Sequence, residues 1–330
     1  MTNVLIIDAN NIAFRSAHKL ALTDPNGKDV GVVYGFLKTL QTLIRKHKPA
    51  HVIACWDGGV PEYRRHMLPS YKANRVRDES QEQIDFFESV FAQMDLLHKE
   101  FLPACGILSV KRIGIEADDL MYQAAYMLHD KMTCVIVSSD ADLYQTTRLD
   151  NVIIHNPNKE NVLTREDILK EYGLSDILQY VPMRALIGDS SDNIKGAVGI
   201  GSATAKKLFS EYKSVVAMMN VAESDQLRAE HKMSAKLAEK LLSFGIGGFT
   251  ANFYVMLLHF DRSGSRHQLL NTEYQPYSLK ILKKLLDRHG FLSLKDHEFY
   301  SCFLKLSAPN FTTTNVRIPL KYTRMRNYGK

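Results

Sequence analysis

Three uninterrupted apolar runs in this chain each lead into aspartate. Val4-Leu5-Ile6-Ile7 ends at Asp8, His51 to Trp56 ends at Asp57, and Cys134-Val135-Ile136-Val137 passes through Ser138-Ser139 to Asp140 and Asp142. A short run without polar interruption is the pattern of a parallel strand covered on both faces. Between the runs, apolar residues recur at helical spacing, which predicts helices over roughly 32–47, 81–101 and 117–129. Such alternation builds a doubly wound α/β fold with a central, mainly parallel sheet and flanking helices. Sheets of this kind take ligands outside the carboxyl ends of their strands, which is where these aspartates fall.

Residues 58–80 interrupt the alternation. Gly58-Gly59 opens a basic segment in which Arg64, Arg65, His66, Lys72, Arg75 and Arg77 are interleaved with Tyr63 and Tyr71. Connections this long are either functional or disordered. From about residue 164 the pattern turns helical, with Thr164 and Asp167 as a capping pair for a helix predicted to reach about Leu186. Two turn-forming stretches follow, Gly188-Asp189-Ser190-Ser191-Asp192-Asn193 and Gly196 to Gly201, leading into a helix with Lys206 and Lys207. Further amphipathic helices are predicted near 232–244 and 276–289, and the stretch from Phe311 to Lys330 carries five Lys and Arg and no acid, a basic tail. The division expected is an α/β core over 1–187, a helical lobe over 188–290 and a C-terminal extension over 291–330.

Composition narrows the class. No apolar run in the 330 residues approaches a membrane span, and the opening Met1 to Asp8 reads as a strand and not as a leader, so a cytoplasmic protein is expected. Cys55, Cys105, Cys134 and Cys302 are scattered among apolar neighbours, which argues against zinc and against a disulfide framework. The net charge of +6 is uneven: residues 262–330 hold 13 Lys and Arg against 4 Asp and Glu, a balance of +9. A basic surface around an acidic centre suits a polyanionic substrate whose reactive phosphate meets metal.

That acidic centre is densest at Gly114-Ile115-Glu116-Ala117-Asp118-Asp119, three carboxylates within four residues at the start of an apolar-striped helix. One or two acids there are an ordinary first turn. Three repel one another and call for a cation, most economically a hard divalent metal. With Asp8, Asp57, Asp140, Asp142, Asp189 and Asp192 they make nine acids from five segments directed at one edge. Two divalent ions there could activate water and stabilise the leaving oxygen of phosphodiester hydrolysis. Gly199-Ile200-Gly201 allows close backbone approach, and with the helix start behind it and Lys206 and Lys207 it could grip a DNA backbone. Tyr71 could stack on an unpaired base.

Ile7-Asp8, Trp56-Asp57, Tyr71-Lys72-Ala73-Asn74-Arg75, Gly114 to Asp119, Ser139 to Asp142, Gly188 to Ile194 and Gly196 to Gly201 together resemble the 5′ nuclease family, in consistent order over about residues 3–260. Its members include flap endonucleases, bacteriophage 5′-3′ exonucleases and the 5′-nuclease domain of bacterial DNA polymerase I. The resemblance implies a PIN-like core whose nine acids bind two Mg²⁺ or Mn²⁺ ions. It makes 58–80 a helical arch and 188–213 a helix-three-turn-helix that holds duplex DNA and often a K⁺ ion. Lys72 then matches a lysine on the scissile phosphate, Arg75 the nearby arginine and Arg64 the basic residue at the arch base.

Ala9 and Ala141 depart from the family's usual choices. The absence of a polymerase domain and of a sliding-clamp motif points to a free-standing enzyme of a bacterium or of a phage-infected host. The expected protein is a monomeric, structure-specific 5′-3′ exonuclease and flap endonuclease of replication. Its expected partners are DNA with free 5′ ends, flaps or nicks, RNA-DNA hybrid, and replication proteins met through the tail. A PIN-type ribonuclease is the alternative enzyme, and a catalytically dead DNA-binding relative the alternative from another class. All nine acids being present speaks against the latter.

Overall fold

The three apolar runs lie at the centre of one sheet in a computed structural model that describes residues 1–17, 22–75, 80–258, 269 and 271–311. The strands are β1 (Asn3–Asp8), β2 (His51–Trp56), β3 (Leu108–Lys111), β4 (Thr133–Val137), β5 (Val152–Asn156) and β6 (Asn161–Leu163). Their order is β3-β2-β1-β4-β5-β6, parallel except for the antiparallel pairing of β6 with β5. The chain winds outward to β3 on one side of β1 and to β6 on the other. The switch point between β1 and β4 is therefore where a ligand crevice opens. The register of Ile7 on Val137 brings Asp8 beside Ser138 in that crevice.

Alternation along the strands sends Val4, Ile6, Ile53, Cys55, Cys134 and Ile136 to one face and Leu5, Ile7, Val52, Ala54, Val135 and Val137 to the other. The second face is covered by α1 (Ala9–Ala17) and α2 (Gly31–His47). After β2 comes the short α3 (Glu62–Met67), then α4 (Gln81–Leu96), which continues through a π-helical turn, Leu97–Phe101, into α5 (Leu102–Ala104). The first face is covered by α6 (Ala117–Leu128), whose Leu120, Met121, Ala124 and Ala125 are the predicted stripe.

The helix predicted from Thr164 to Leu186 is broken. Its capping box forms, and α7 (Arg165–Tyr172) follows, but Gly173 adopts φ +66 and ends it. A second capping pair, Asp176 with Gln179, restarts the chain as a 3₁₀ turn and then α8 (Tyr180–Ile187). The hairpin of β7 (Gly188–Asp189) and β8 (Ile194–Lys195) leads to α9 (Ser202–Glu211), α10 (Val215–Glu223), α11 (Asp225–Glu230) and α12 (Ala235–Met256), the last kinked at Gly245.

The sequence reading grouped residues up to 290 with this helical lobe, and the structure separates them. Leu282, Leu285 and Leu286 of α13 (Leu279–Arg288), with Phe299 of α14 (His297–Ser301), pack with Leu37 and Phe101 on the opposite face of the sheet. An apolar stripe identifies a helix that must be covered, and says nothing of which surface covers it. All four cysteines are unpaired. Among the described residues no helix is long and apolar enough to cross a membrane. Arg77 and the basic tail from 312 onward lie outside the described residues.

One backbone contact aligns β2 with α6. Gly58 N–H donates to Ile115 O, and its carbonyl accepts from Gly114 N–H, at 2.8 Å each. A Cβ on Gly58 would stand 1.6 Å from the Arg112 carbonyl oxygen. Backbone cannot give way as a side chain does, so Gly58→Ala is expected to cost about 1–3 kcal/mol or more, read as a lowered midpoint of urea unfolding.

Candidate metal centre

Four of the nine acids are held by a backbone N–H. Asp8 accepts from Asn11 N–H and from the Ser138 hydroxyl, both at 2.9 Å. Asp57 accepts from Ala117 N–H at 2.8 Å and so caps the start of α6, where Glu116 is the N-cap residue and Asp118 and Asp119 lie in the first turn. Asp140 caps the 3₁₀ helix Ala141–Arg148 through Asp142 N–H at 2.8 Å. In the β7–β8 turn, Asp189 accepts from the Ser191 N–H at 2.8 Å and from its hydroxyl at 2.6 Å.

Their charges confront one another. Burial, with repulsion from Asp57 and Asp140, pushes the Asp8 carboxyl up to about 7. Burial and the facing Asp140, Asp8 and Asp57 hold Asp118 well above the usual carboxylate range. Burial, with Asp140, Asp189 and Asp192 nearby, lifts Asp142 to about 7 even though Arg184 pulls the other way. Asp57 and Asp192 are raised chiefly by burial. Asp140 repels Asp8 and Asp118 as well as Asp142. A cluster whose own members resist ionisation needs external positive charge.

The chain supplies some of that charge itself. Arg64, 2% exposed, donates from two nitrogens to Asp119 at 2.9 Å each, to Glu116, and from Nε to the Val255 carbonyl at 2.9 Å. Burial raises Glu116, but Arg64 and Lys72 outweigh it and leave that carboxyl lowered. Lys72 is bonded to Glu116 and lies 3.7 Å from Asp192, which Arg75 reaches at 2.7 Å. Arg184 bridges Asp189 at 2.5 Å and Asp142 at 3.2 Å. Among the described residues no group of three or more His, Cys, Asp or Glu side chains is arranged to hold a metal ion as it stands. The donors are nevertheless all hard oxygens, as Mg²⁺ or Mn²⁺ requires. Lys72, Arg75 and Arg184 occupy oxygens of Glu116, Asp192, Asp189 and Asp142.

Three expectations need correction here. Arg64 is not displayed to a nucleic acid, because its guanidinium is buried between α3, α6 and the end of α12. Asp119 differs from the other acids, since both its oxygens are taken by Arg64. Tyr71 is not free to stack on a base, being 7% exposed with its hydroxyl donating to Glu116 at 3.2 Å. The described part of 58–80 lies down on the acidic edge. Lys72 N–H donates to Asp192 O at 2.8 Å, and Asn193 Nδ2 to Ser70 O at 2.7 Å. Lys72 is held there at φ +55, a conformation that costs a non-glycine residue energy and persists where surroundings impose it.

In the expected duplex grip, Gly199 has φ +74 and Gly201 is the N-cap of α9. Lys206 bonds the Glu171 carbonyl at 2.5 Å over the Tyr172 ring, and Lys207 is exposed, 3.9 Å from Glu211. Sequence reasoning overlooked Arg184 and Ser138, each adjacent in space to an acid yet without a motif of its own. Spacing did hold a hint, since Arg184 precedes Asp189 by five residues at the end of a helix.

The chain matches the family described as 5′-3′ exonuclease, N-terminal resolvase-like domain, over residues 3–173, and that described as 5′-3′ exonuclease, C-terminal SAM fold, over residues 176–244. It is 30% identical over 253 residues to a 5′-3′ exonuclease of Bacillus subtilis, covering 72% of this chain and 82% of that one. It is 31% identical over 245 residues to the thermostable DNA polymerase I of Thermus aquaticus, covering 74% of this chain but 28% of that longer protein. In fold it resembles the T5 D15 protein co-crystallised with metal ions, with a TM-score of 0.66 at 19% identity over 92% of this chain and 98% of that one.

Two outcomes follow from the ion pairs. Removing one partner of a buried pair strands the other, so Arg64→Ala is expected to destabilise the fold by about 3–5 kcal/mol, measured by urea unfolding. Lys72 competes with any cation for Glu116 and Asp192. Lys72→Ala is therefore expected to tighten Mn²⁺ binding about tenfold, the equivalent of about 1.4 kcal/mol, measured by calorimetry without DNA; unchanged or weaker binding would remove Lys72 from that competition.

Proposed function

The chain belongs to the 5′-3′ exonuclease family, and from that premise we propose that it is a divalent-metal-dependent 5′ nuclease that hydrolyses DNA phosphodiesters at free 5′ ends, flaps and nicks. The observation that carries the reading is a set of carboxylates from separate segments at the carboxyl edge of the sheet, where burial first and mutual repulsion second hold Asp8, Asp118 and Asp142 above the usual carboxylate range. Asp8, Asp118 and Asp140 would hold one ion, and Asp142, Asp189 and Asp192 a second, with Asp57 and Glu116 beside the first. Divalent ions held there would supply the charge that polarises a phosphate and stabilises a departing oxygen.

The remaining work falls to side chains of the chain. Lys72 and Arg75, released from Glu116 and Asp192 once other cations neutralise those acids, can turn to the non-bridging oxygens of the phosphate, where charge grows in the transition state. Arg64 keeps Glu116 and Asp119 oriented. The turn at 199–201 offers backbone N–H groups to the duplex, with Lys206 and Lys207 as further phosphate contacts. A K⁺ ion at that turn would need carbonyl oxygens, and one of them, Gly199 O, accepts from Lys240. RNA-DNA hybrid as a second substrate, and replication proteins as partners of the tail, belong to the same proposal.

The test is a gel assay on a 5′-labelled flap, a nicked duplex and an RNA-primed duplex, with and without Mg²⁺. Cleavage is expected at the junction with Mg²⁺ and none in excess chelator. Asp140→Asn is expected to lower single-turnover cleavage by about a hundredfold or more, the scale of losing one transition-state contact, with flap affinity retained or tighter because only negative charge is lost. Cleavage in chelator would overturn the metal assignment, and parallel loss of binding would make Asp140 structural.

A further inference from the structure

We infer that Lys240 is the built-in cation of the duplex grip: its ammonium fixes the Gly199 turn and meets the DNA phosphate that lies there. The inference rests on the reading of residues 196–201 as that grip. The turn is anchored from below. Ala197 and Ile200 are buried, Ile200 N–H closes on Ala197 O at 2.9 Å, and Val198 at the tip is 88% exposed.

The two arms of α12, on either side of its kink at Gly245, brace the turn from both sides. Asn252 of α12 donates to the carbonyls of Ala185 and Lys195 at 2.9 Å each, fixing the strand that enters the turn. Lys240, on the other side of the kink at Gly245, donates from Nζ to Gly199 O at 2.7 Å. The lysine lies flat on the glycine: a Cβ at residue 199 would stand 2.7 Å from Nζ and 3.0 Å from Cε. Glycine thus serves two purposes there, adopting φ +74 and leaving room for the lysine.

An ammonium has three donors, and Gly199 O accounts for one. Among the described residues, no carboxylate forms a salt bridge with Lys240. Lys207, in contrast, faces Glu211, and Lys206 is turned back to the Glu171 carbonyl. Lys240 therefore presents unspent donors and an uncompensated charge at the surface where a phosphate would rest. A free monovalent ion at the turn would compete for the same carbonyl, and a tethered ammonium wins that competition without loss of translational freedom.

The experiment measures binding of the full chain to a nicked 5′-flap duplex in chelator, in equal concentrations of potassium chloride or tetramethylammonium chloride. Wild-type affinity is expected to be the same in both salts. Lys240→Ala is expected to bind more weakly in tetramethylammonium, to be partly restored by K⁺, and to show a log affinity against log salt slope shallower by about 0.9, one phosphate contact. Lys240→Arg, which keeps the charge, should retain the wild-type slope. Gly199→Ala, which displaces the lysine without removing it, should weaken binding in the same direction. Wild-type binding several-fold tighter in K⁺, or a Lys240→Ala variant with wild-type affinity and slope, would overturn the inference. A wild-type protein that binds the duplex no better than single strand would overturn the grip itself, and this inference with it.

Discussion

Carboxylates crowded into a half-dry crevice must be matched by positive charge, and that requirement ties together segments that are otherwise far apart in sequence. Strand ends supply Asp8, Asp57 and Asp140, the start of α6 supplies Glu116, Asp118 and Asp119, and the β7–β8 turn supplies Asp189 and Asp192. Several of these acids are brought together with cations from the chain beside them. Arg64 from α3, Lys72 and Arg75 from the following turn, and Arg184 from α8 meet the acids at 2.5–3.7 Å where no shorter contact forms. Burying an ion pair yields little net stability, but leaving either partner alone is costly. The pairs therefore fix geometry more than they add free energy.

Two kinds of pairing are present. Arg64 is enclosed, with Val255 O completing its bonds, so it joins α3 and α6 to the end of α12 permanently. Arg75 reaches Asp192 from the rim, with its side chain 57% exposed, while Lys72 is more enclosed at 14%. Such contacts can be exchanged for others. A segment that pairs with the acids in the absence of other cations, and with a phosphate in their presence, would carry the same residues from one role to the next.

Much of the sheet was legible because β1, β2 and β4 are buried on both faces and read as continuous apolar runs. The short outer strand Leu108-Ser109-Val110-Lys111 and the β5–β6 pair lack such runs, and they were missed. Helix α1 escaped notice because it starts at Ala9 with no turn between it and β1. All nine acids could be named from sequence, since each sits at the end of a strand or the start of a helix or turn. What sequence could not supply was the identity of their partners. Arg64 looked like one of several cations on a surface loop, and Tyr71 like an exposed aromatic in the same loop. Their burial depends on the docking of α3 against α6 and α12, a contact between segments some 190 residues apart. Lys240 is a half-buried lysine on an amphipathic helix, and only the packing of α12 beside the turn gives it a role.

In the proposed reaction these carboxylates form a two-ion centre from which Lys72 and Arg75 withdraw. Anomalous diffraction from crystals of the protein grown with Mn²⁺ tests it most directly. Two peaks are expected about 3.5–4 Å apart, one against Asp8, Asp118 and Asp140 and the other against Asp142, Asp189 and Asp192, with the Lys72 ammonium moved off Glu116. Mn²⁺ bound elsewhere, or a saturated crystal in which Lys72 and Arg75 still pair with Glu116 and Asp192, would contradict it.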